Sequence, residues 1–136
     1  VVPQILKLTV NSAATAANLD LTASVLNLVI GNIVEISNKK NGYIVSLESS
    51  NALSVSGNTA FFKSNDATNV DVLNYSINYN GTPVNFNSGV AIISDVNEKT
   101  TAIGSSNEVS ISYDGSGILL YEDTYIDTLN FAITAK

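Results

Sequence analysis

Apolar and polar residues alternate with a period of two through one short segment after another of this chain, and clusters of Gly, Asn, Ser and Asp separate the segments. Leu73, Tyr75, Ile77 and Tyr79 alternate with Asn74, Ser76 and Asn78; Leu129, Phe131 and Ile133 alternate with Asn130, Ala132 and Thr134. Successive side chains of a strand point to opposite faces, so this pattern predicts half-buried β-strands. About seven such segments predict one all-β domain, an immunoglobulin-like two-sheet sandwich. A chain of 136 residues buries roughly 68–70% of its unfolded surface, enough for a core without covalent staples.

Along the chain, Ile5–Val10 places Leu6, Leu8 and Val10 on one face and Lys7 and Thr9 on the other. Ser12–Ala17 is a bridge of small residues with room for one helical turn but too few large apolar side chains to anchor a helix. Leu19–Leu21 and Val25–Ile36 follow, the latter interrupted by a bulge or break at Gly31-Asn32. The turn Ser37–Gly42 leads into Tyr43, Val45 and Leu47, so Ile33–Leu47 reads as a hairpin. Glu48–Asn69 reads as loop or short strand, pinned by one of Phe61 and Phe62. Asn80-Gly81 is the strongest hairpin signal, with Val84 and Phe86 returning beside Leu73–Tyr79. Pro83 cannot donate to a ladder and puts that return strand at an edge. Val90–Ile93 and Val109–Tyr113 supply two more strands, and Asp114–Gly117 turns into the closing segment. The expected core is Leu73, Tyr75, Ile77, Val109, Ile111, Leu129, Phe131 and Ile133, in one domain of residues 1–136.

Composition narrows the chemistry. The chain has no His, Cys, Trp, Met or Arg, and its formal net charge is −6. Without His or Cys there is no ordinary nucleophile–base pair. Without Arg, an acidic chain has no electrostatic footprint for nucleic acid. Glu122, Asp123 and Asp127 offer carboxylates for glycoside hydrolysis, but acids beside a turn read more simply as a solvated approach to the strand. Asp66 with Asn65, Asp114 with Ser116, and Glu122 with Asp123 have calcium-type oxygens, yet none follows a calcium-loop pattern and all suit turn capping. Most of the six tyrosines lie on apolar alternating faces, which favours sheet packing over a sugar platform. The expectation is no enzyme, no cofactor and no metal site. No apolar run approaches the length of a membrane-spanning helix. The start Val1-Val2-Pro3-Gln4 reads as an end left by processing or by the choice of expressed fragment.

The two ends carry the functional signal. The closing strand runs to the last residue without a return strand, so its edge partner is expected elsewhere. The opening strand is amphipathic and tethered by a flexible bridge. Both ends suit ordinary strands of a closed sandwich. They equally suit strand donation, in which residues 1–11 form the donor strand, 12–18 the bridge and 19–136 the receiving body. Leu6, Leu8 and Val10 of one copy would then enter a groove beside Leu129, Phe131 and Ile133 of another.

Three stretches tip the balance. These are Tyr125-Ile126-Asp127-Thr128 leading into the closing strand, Ile30–Ser49 with its Asn-Gly turn, and Leu73–Val84. Together they resemble bacterial chaperone–usher pilus subunits and their spore-coat-U-like relatives. The resemblance implies an incomplete immunoglobulin-like fold, export through the periplasm to the cell surface, and a dedicated chaperone and usher as partners. It also implies assembly with other copies or related subunits into fibres for adhesion or biofilm. The chain departs from that group in lacking a disulfide and in placing Asp123 where Gly commonly precedes the Tyr-x-Asp motif. The alternative expectation is a self-contained immunoglobulin-like adhesin module that recognises a glycan or protein, with or without calcium.

Overall fold

A computed structural model describes residues 1–136. In chain order the elements are β1 (Leu6–Ser12), a 3-10 turn (Ala14–Ala17), β2 (Ser24–Ser37), β3 (Tyr43–Ser49) and α1 (Ser50–Ser54). Then come β4 (Ala60–Ser64), β5 (Val72–Tyr79), β6 (Thr82–Pro83), β7 (Val90–Val96), β8 (Ser105–Asp114), β9 (Tyr125–Ile126) and β10 (Leu129–Ala135). Strand takes up 51% of the residues and helix 7%, so the all-β reading holds. No helix is long and apolar enough to cross a membrane.

The strands form two packed antiparallel sheets. One is seven-stranded, in the order β1-β2-β8-β5-β4-β9 with β6 beside β5; the other is three-stranded, in the order β10-β3-β7. An immunoglobulin sandwich of the constant type pairs A-B-E-D in one sheet and C-F-G in the other. Here β1-β2-β8-β5 stand as A-B-E-D and β3-β10 as C-F, with β7 on the far side of β3. The position of G, beside β10, holds no strand of this chain.

The inner faces of β5 and β8 build the core as their alternation predicts. Leu73, Tyr75, Ile77 and Tyr79 of β5 and Val109, Ile111 and Tyr113 of β8 are all buried. Phe62, from the weakly patterned Glu48–Asn69 region, stacks on Tyr75 at 4.3 Å and meets Tyr113 edge-on at 5.8 Å. One phenyl ring of the Phe61-Phe62 pair therefore pins that region, which holds α1 and β4. Asn80 and Gly81, both at positive φ (50° and 77°), close the β5–β6 hairpin with the twist that flanking strands prefer. Pro83 does sit on a strand with a single neighbour.

Several expectations change. Ile33–Leu47 is not a hairpin: β2 pairs with β1 and β8, whereas β3 pairs with β10 and β7. Alternation cannot separate two strands of one sheet from two strands facing each other across a sandwich, and these two face each other. The chain crosses between sheets at 38–42. Gly42 backs onto the Val96 carbonyl so closely that a Cβ would lie 1.8 Å from its oxygen, at a φ of +88°. Of the two alternatives at Gly31-Asn32 the bulge holds and the break does not: β2 runs through, with register shifts at Val25/Leu28 and Val29/Gly31. Leu19–Leu21 forms no strand, although Leu19 and Leu21 still pack on the core.

β10 requires a finer correction. Leu129, Phe131 and Ile133 point inward as expected but are only half-buried. β10 has one hydrogen-bonded neighbour, β3, so no strand pairs along its other side, which faces β1. Full burial would make Phe131→Ala cost about 3–5 kcal/mol. Half-burial lowers the expected loss to about 2 kcal/mol, read from the shift in a urea midpoint at unchanged slope. A loss above 4 kcal/mol would show the ring enclosed on all sides.

Candidate functional site

Two unpaired strand edges face each other along one side of the sandwich, and the parity of their backbones decides what they present. In an antiparallel pair, both backbone groups of a residue point the same way, and alternate residues point to opposite sides. On β10, the Thr128 carbonyl accepts from the Ser50 amide and the Lys136 amide donates to the Gly42 carbonyl. Even-numbered residues therefore bond β3. The amides and carbonyls of Leu129, Phe131, Ile133 and Ala135 point to the open side. On β1, the Ile5 carbonyl accepts from Asn38 and the Ala13 amide donates to Ile30. Odd-numbered residues bond β2, and the backbone of Leu6, Leu8, Val10 and Ser12 faces outward.

Between these edges lies a groove of about 270 Å³. Val10, Asn11 and Ser12 form one wall, and Thr128, Leu129 and Phe131 the other. Its floor is the inner face of the larger sheet, with Ile33, Val109 and Ile111 at its centre. Two of the residues with outward main chain on β10, Leu129 and Phe131, send their side chains toward the same cleft. A second hollow of about 620 Å³, walled by Leu19–Thr22 and by 118–127, shares Ala16, Leu19, Phe62 and Asp127 with the groove and continues it toward one end of the sandwich.

The Tyr-x-Asp motif positions this edge. The Asp127 carboxylate accepts from the Tyr75 hydroxyl at 2.5 Å and the Ser49 hydroxyl at 2.7 Å, and from the amides of Asn51 at 3.0 Å and Thr128 at 2.8 Å. It therefore ties the larger sheet to the end of β3 at the point where β9 gives way to β10. Burial, then the Asp127 charge, pushes the Tyr75 phenol well above its ordinary value. The Tyr125 hydroxyl donates to the Tyr121 carbonyl at 2.7 Å and accepts from the Asn69 amide at 2.9 Å. Asp123, two residues before Tyr125, accepts from the Ser64 hydroxyl and the Asn69 amide. Those bonds, the Ser64 one foremost, hold its carboxyl below the usual range.

All six residues singled out from the sequence border this open side, but in different roles. Leu129, Phe131 and Ile133 lie on the edge strand β10, and Leu129 and Phe131 line the groove beside it. Leu6, Leu8 and Val10 do not fill the groove of this chain; they belong to β1, paired with β2 over Leu6–Ser12. The bridge holds β1 there: the Ala13 amide and the Thr15 hydroxyl both bond β2 carbonyls, of Ile30 and Val29. Val10 is a wall residue and remains 52% exposed. No sequence signal marks Ile33, Val109 and Ile111 as floor residues, because a groove floor and an ordinary core carry the same pattern. Asp66 and Asp114 each bond their own turns, through Thr68 and Ser116.

Comparison with family models, with curated proteins and with solved structures returns no match.

Proposed function

We propose that this chain is a structural subunit of a bacterial surface fibre or coat that assembles by accepting an extended strand from another copy or a related subunit beside β10. One observation carries the reading. Four successive alternate residues of β10 present unpaired backbone to the open side, and the side chains of two of them, Leu129 and Phe131, line an apolar groove at the place where an immunoglobulin sandwich has its last strand. Main-chain bonds along such an edge supply affinity, and side chains at alternate positions of the incoming strand supply specificity. An exposed edge over an apolar cleft also invites uncontrolled pairing, which suits a chaperone that caps it before assembly. Val1 and Val2 are exposed, but the Pro3 carbonyl and the Ile5 backbone are bonded to Asn38, so either β1 leaves its own body to reach a neighbour or a related subunit supplies the strand.

Backbone parity provides the test. Proline at Ile133 or Ala135 removes an amide that faces the open side and leaves the β3 ladder bonds in place, a substitution that edge strands tolerate. Ile133→Pro and Ala135→Pro are expected to remain folded by far-ultraviolet spectrum and to lose polymer formation in light scattering and electron microscopy. Thr134→Pro, one residue between them, removes a ladder bond and should cost about 1–3 kcal/mol of stability. Wild-type chain that stays monomeric, or polymer that survives both outward prolines, would remove the fibre reading in favour of the self-contained binding module.

A further inference from the structure

Charge on this molecule is sorted by end, a property that the topology creates and the linear sequence hides. The antiparallel register brings the start of β1, the 38–42 crossing, the 97–104 loop and the end of β10 to one end of the sandwich. That end holds Lys7, Lys39, Lys40, Lys99 and Lys136 against the exposed acids Asp95 and Glu98 and the buried Glu35, so it gathers five of the chain's 6 lysines. The opposite end is made by the turns around Asp20, Asp66, Asp71, Asp114, Glu122 and Asp123, with Lys63 as its one cation. A single ion pair forms within the chain, Lys136 with Asp95, so the other four lysines of the basic end are unpaired. On the acidic side, Asp20, Asp66 and Asp114 each commit Oδ1 to their own turn and leave Oδ2 without a partner.

Both ends also expose apolar side chains among their charges. At the acidic end Leu119 is 97% and Val70 76% exposed, and the Tyr121 amide bonds the Asp71 carboxylate at 2.8 Å, which gathers these segments together. At the basic end Ile103 is 87% exposed. Exposed apolar side chains among charges suit a protein interface, and charges of opposite sign select partner and orientation.

We propose that copies of this chain dock head to tail, the basic end of one against the acidic end of the next. Such a contact joins two different surfaces and so builds an open row rather than a closed dimer. It requires no strand addition, and it would align successive copies along the axis on which the hollow beside 118–127 opens. A molecule of net charge −6 with its charges evenly spread would behave in the opposite way, repelling its copies at low salt and approaching them when screened.

Sedimentation of the full-length chain, and of Ile133→Pro in which strand addition is blocked, reads the contact separately from the fibre mechanism. Between about 0.01 M and about 1 M salt the screening length falls from about 30 Å to about 3 Å. Association should weaken at least about tenfold across that range in both proteins. Lys40→Glu with Lys99→Glu should abolish it, as should Glu122→Lys with Thr124→Lys, and mixing these two charge-reversed proteins should restore mixed pairs. Association that is absent at low salt, indifferent to salt or stronger at high salt overturns the proposal, and so does a mixture that fails to pair. Loss of polymer in Ile133→Pro with salt-sensitive association retained would support both mechanisms. Polymer persisting in that variant with the same salt response would leave head-to-tail docking standing and strand addition refuted.

Discussion

Glu35→Ala is expected to destabilise the fold by about 3–5 kcal/mol, although the residue touches no groove and pairs with no cation. Glu35 is 2% exposed and sits between the sheets. Its carboxyl oxygens accept from the Tyr43 hydroxyl at 2.8 Å, the Tyr79 hydroxyl at 2.5 Å and the Ser94 hydroxyl at 2.7 Å. These donors come from β3, β5 and β7, so one side chain of β2 stitches the two sheets together. Removing it strands the buried Tyr43 and Tyr79 hydroxyls and the half-buried Ser94 hydroxyl and opens a cavity, and each orphaned buried group costs about 1–3 kcal/mol. Glu35→Gln keeps an acceptor and the volume and should lose less than half as much. Replacing all four partners by apolar residues of similar shape (Glu35→Leu, Tyr43→Phe, Tyr79→Phe, Ser94→Ala) should recover most of the loss, because no polar group is then left unmatched. Urea midpoints on these three proteins check the claim. A Glu35→Ala loss under 1 kcal/mol would mean that water reaches the cluster.

The same cluster marks the boundary of what could be read from the sequence. Strand identity and facing were legible wherever alternation was clean: β5, β8 and β10 point as the pattern requires, and Asn80-Gly81 closes the turn it predicts. Pairing was not legible. Ile33, Glu35 and Ser37 alternate with their neighbours just as Tyr43, Val45 and Leu47 do, and this phase relation is the same for a hairpin as for two strands facing across a core. The pairings of β2 and β3 with other strands, and the Tyr43–Glu35 bond across the sandwich, make the difference visible. Glu35 itself lay inside an apolar run with nothing to mark its three hydroxyl donors, which come from positions eight to 59 residues away. The edge residues of the groove were found because edges and alternation are local properties. Its floor and the two charged ends were not, because both exist only once distant segments are brought together.

Alkaline unfolding is the largest effect expected of this fold. Burial, reinforced by a neighbouring carboxyl, pushes the phenols of Tyr43 and Tyr79 (beside Glu35) and Tyr75 (beside Asp127) above their ordinary range near 10. The folded chain holds these protons while the unfolded chain gives them up above pH about 10, so unfolding gains as pH rises and the stability present below about 10 is lost above it. Each such tyrosine removes at most about 1.4 kcal/mol per pH unit. Three of them over about two units reach about 8 kcal/mol, and solvent screening that halves the figure still leaves about 4. A typical domain has about 5–15 kcal/mol in all. The far-ultraviolet strand signal should therefore collapse cooperatively between pH about 10.5 and 12, with tyrosinate absorbance rising in the same transition. Tyr75→Phe should lose the Asp127 bond and some stability at pH 7, yet show a shallower fall in stability above pH about 10 because one fewer proton is released. If tyrosinate absorbance developed fully near pH 10 while the strand signal stayed intact to pH 12, the hydroxyls would be open to solvent and the inter-sheet clasps at Glu35 and Asp127 would not exist in solution.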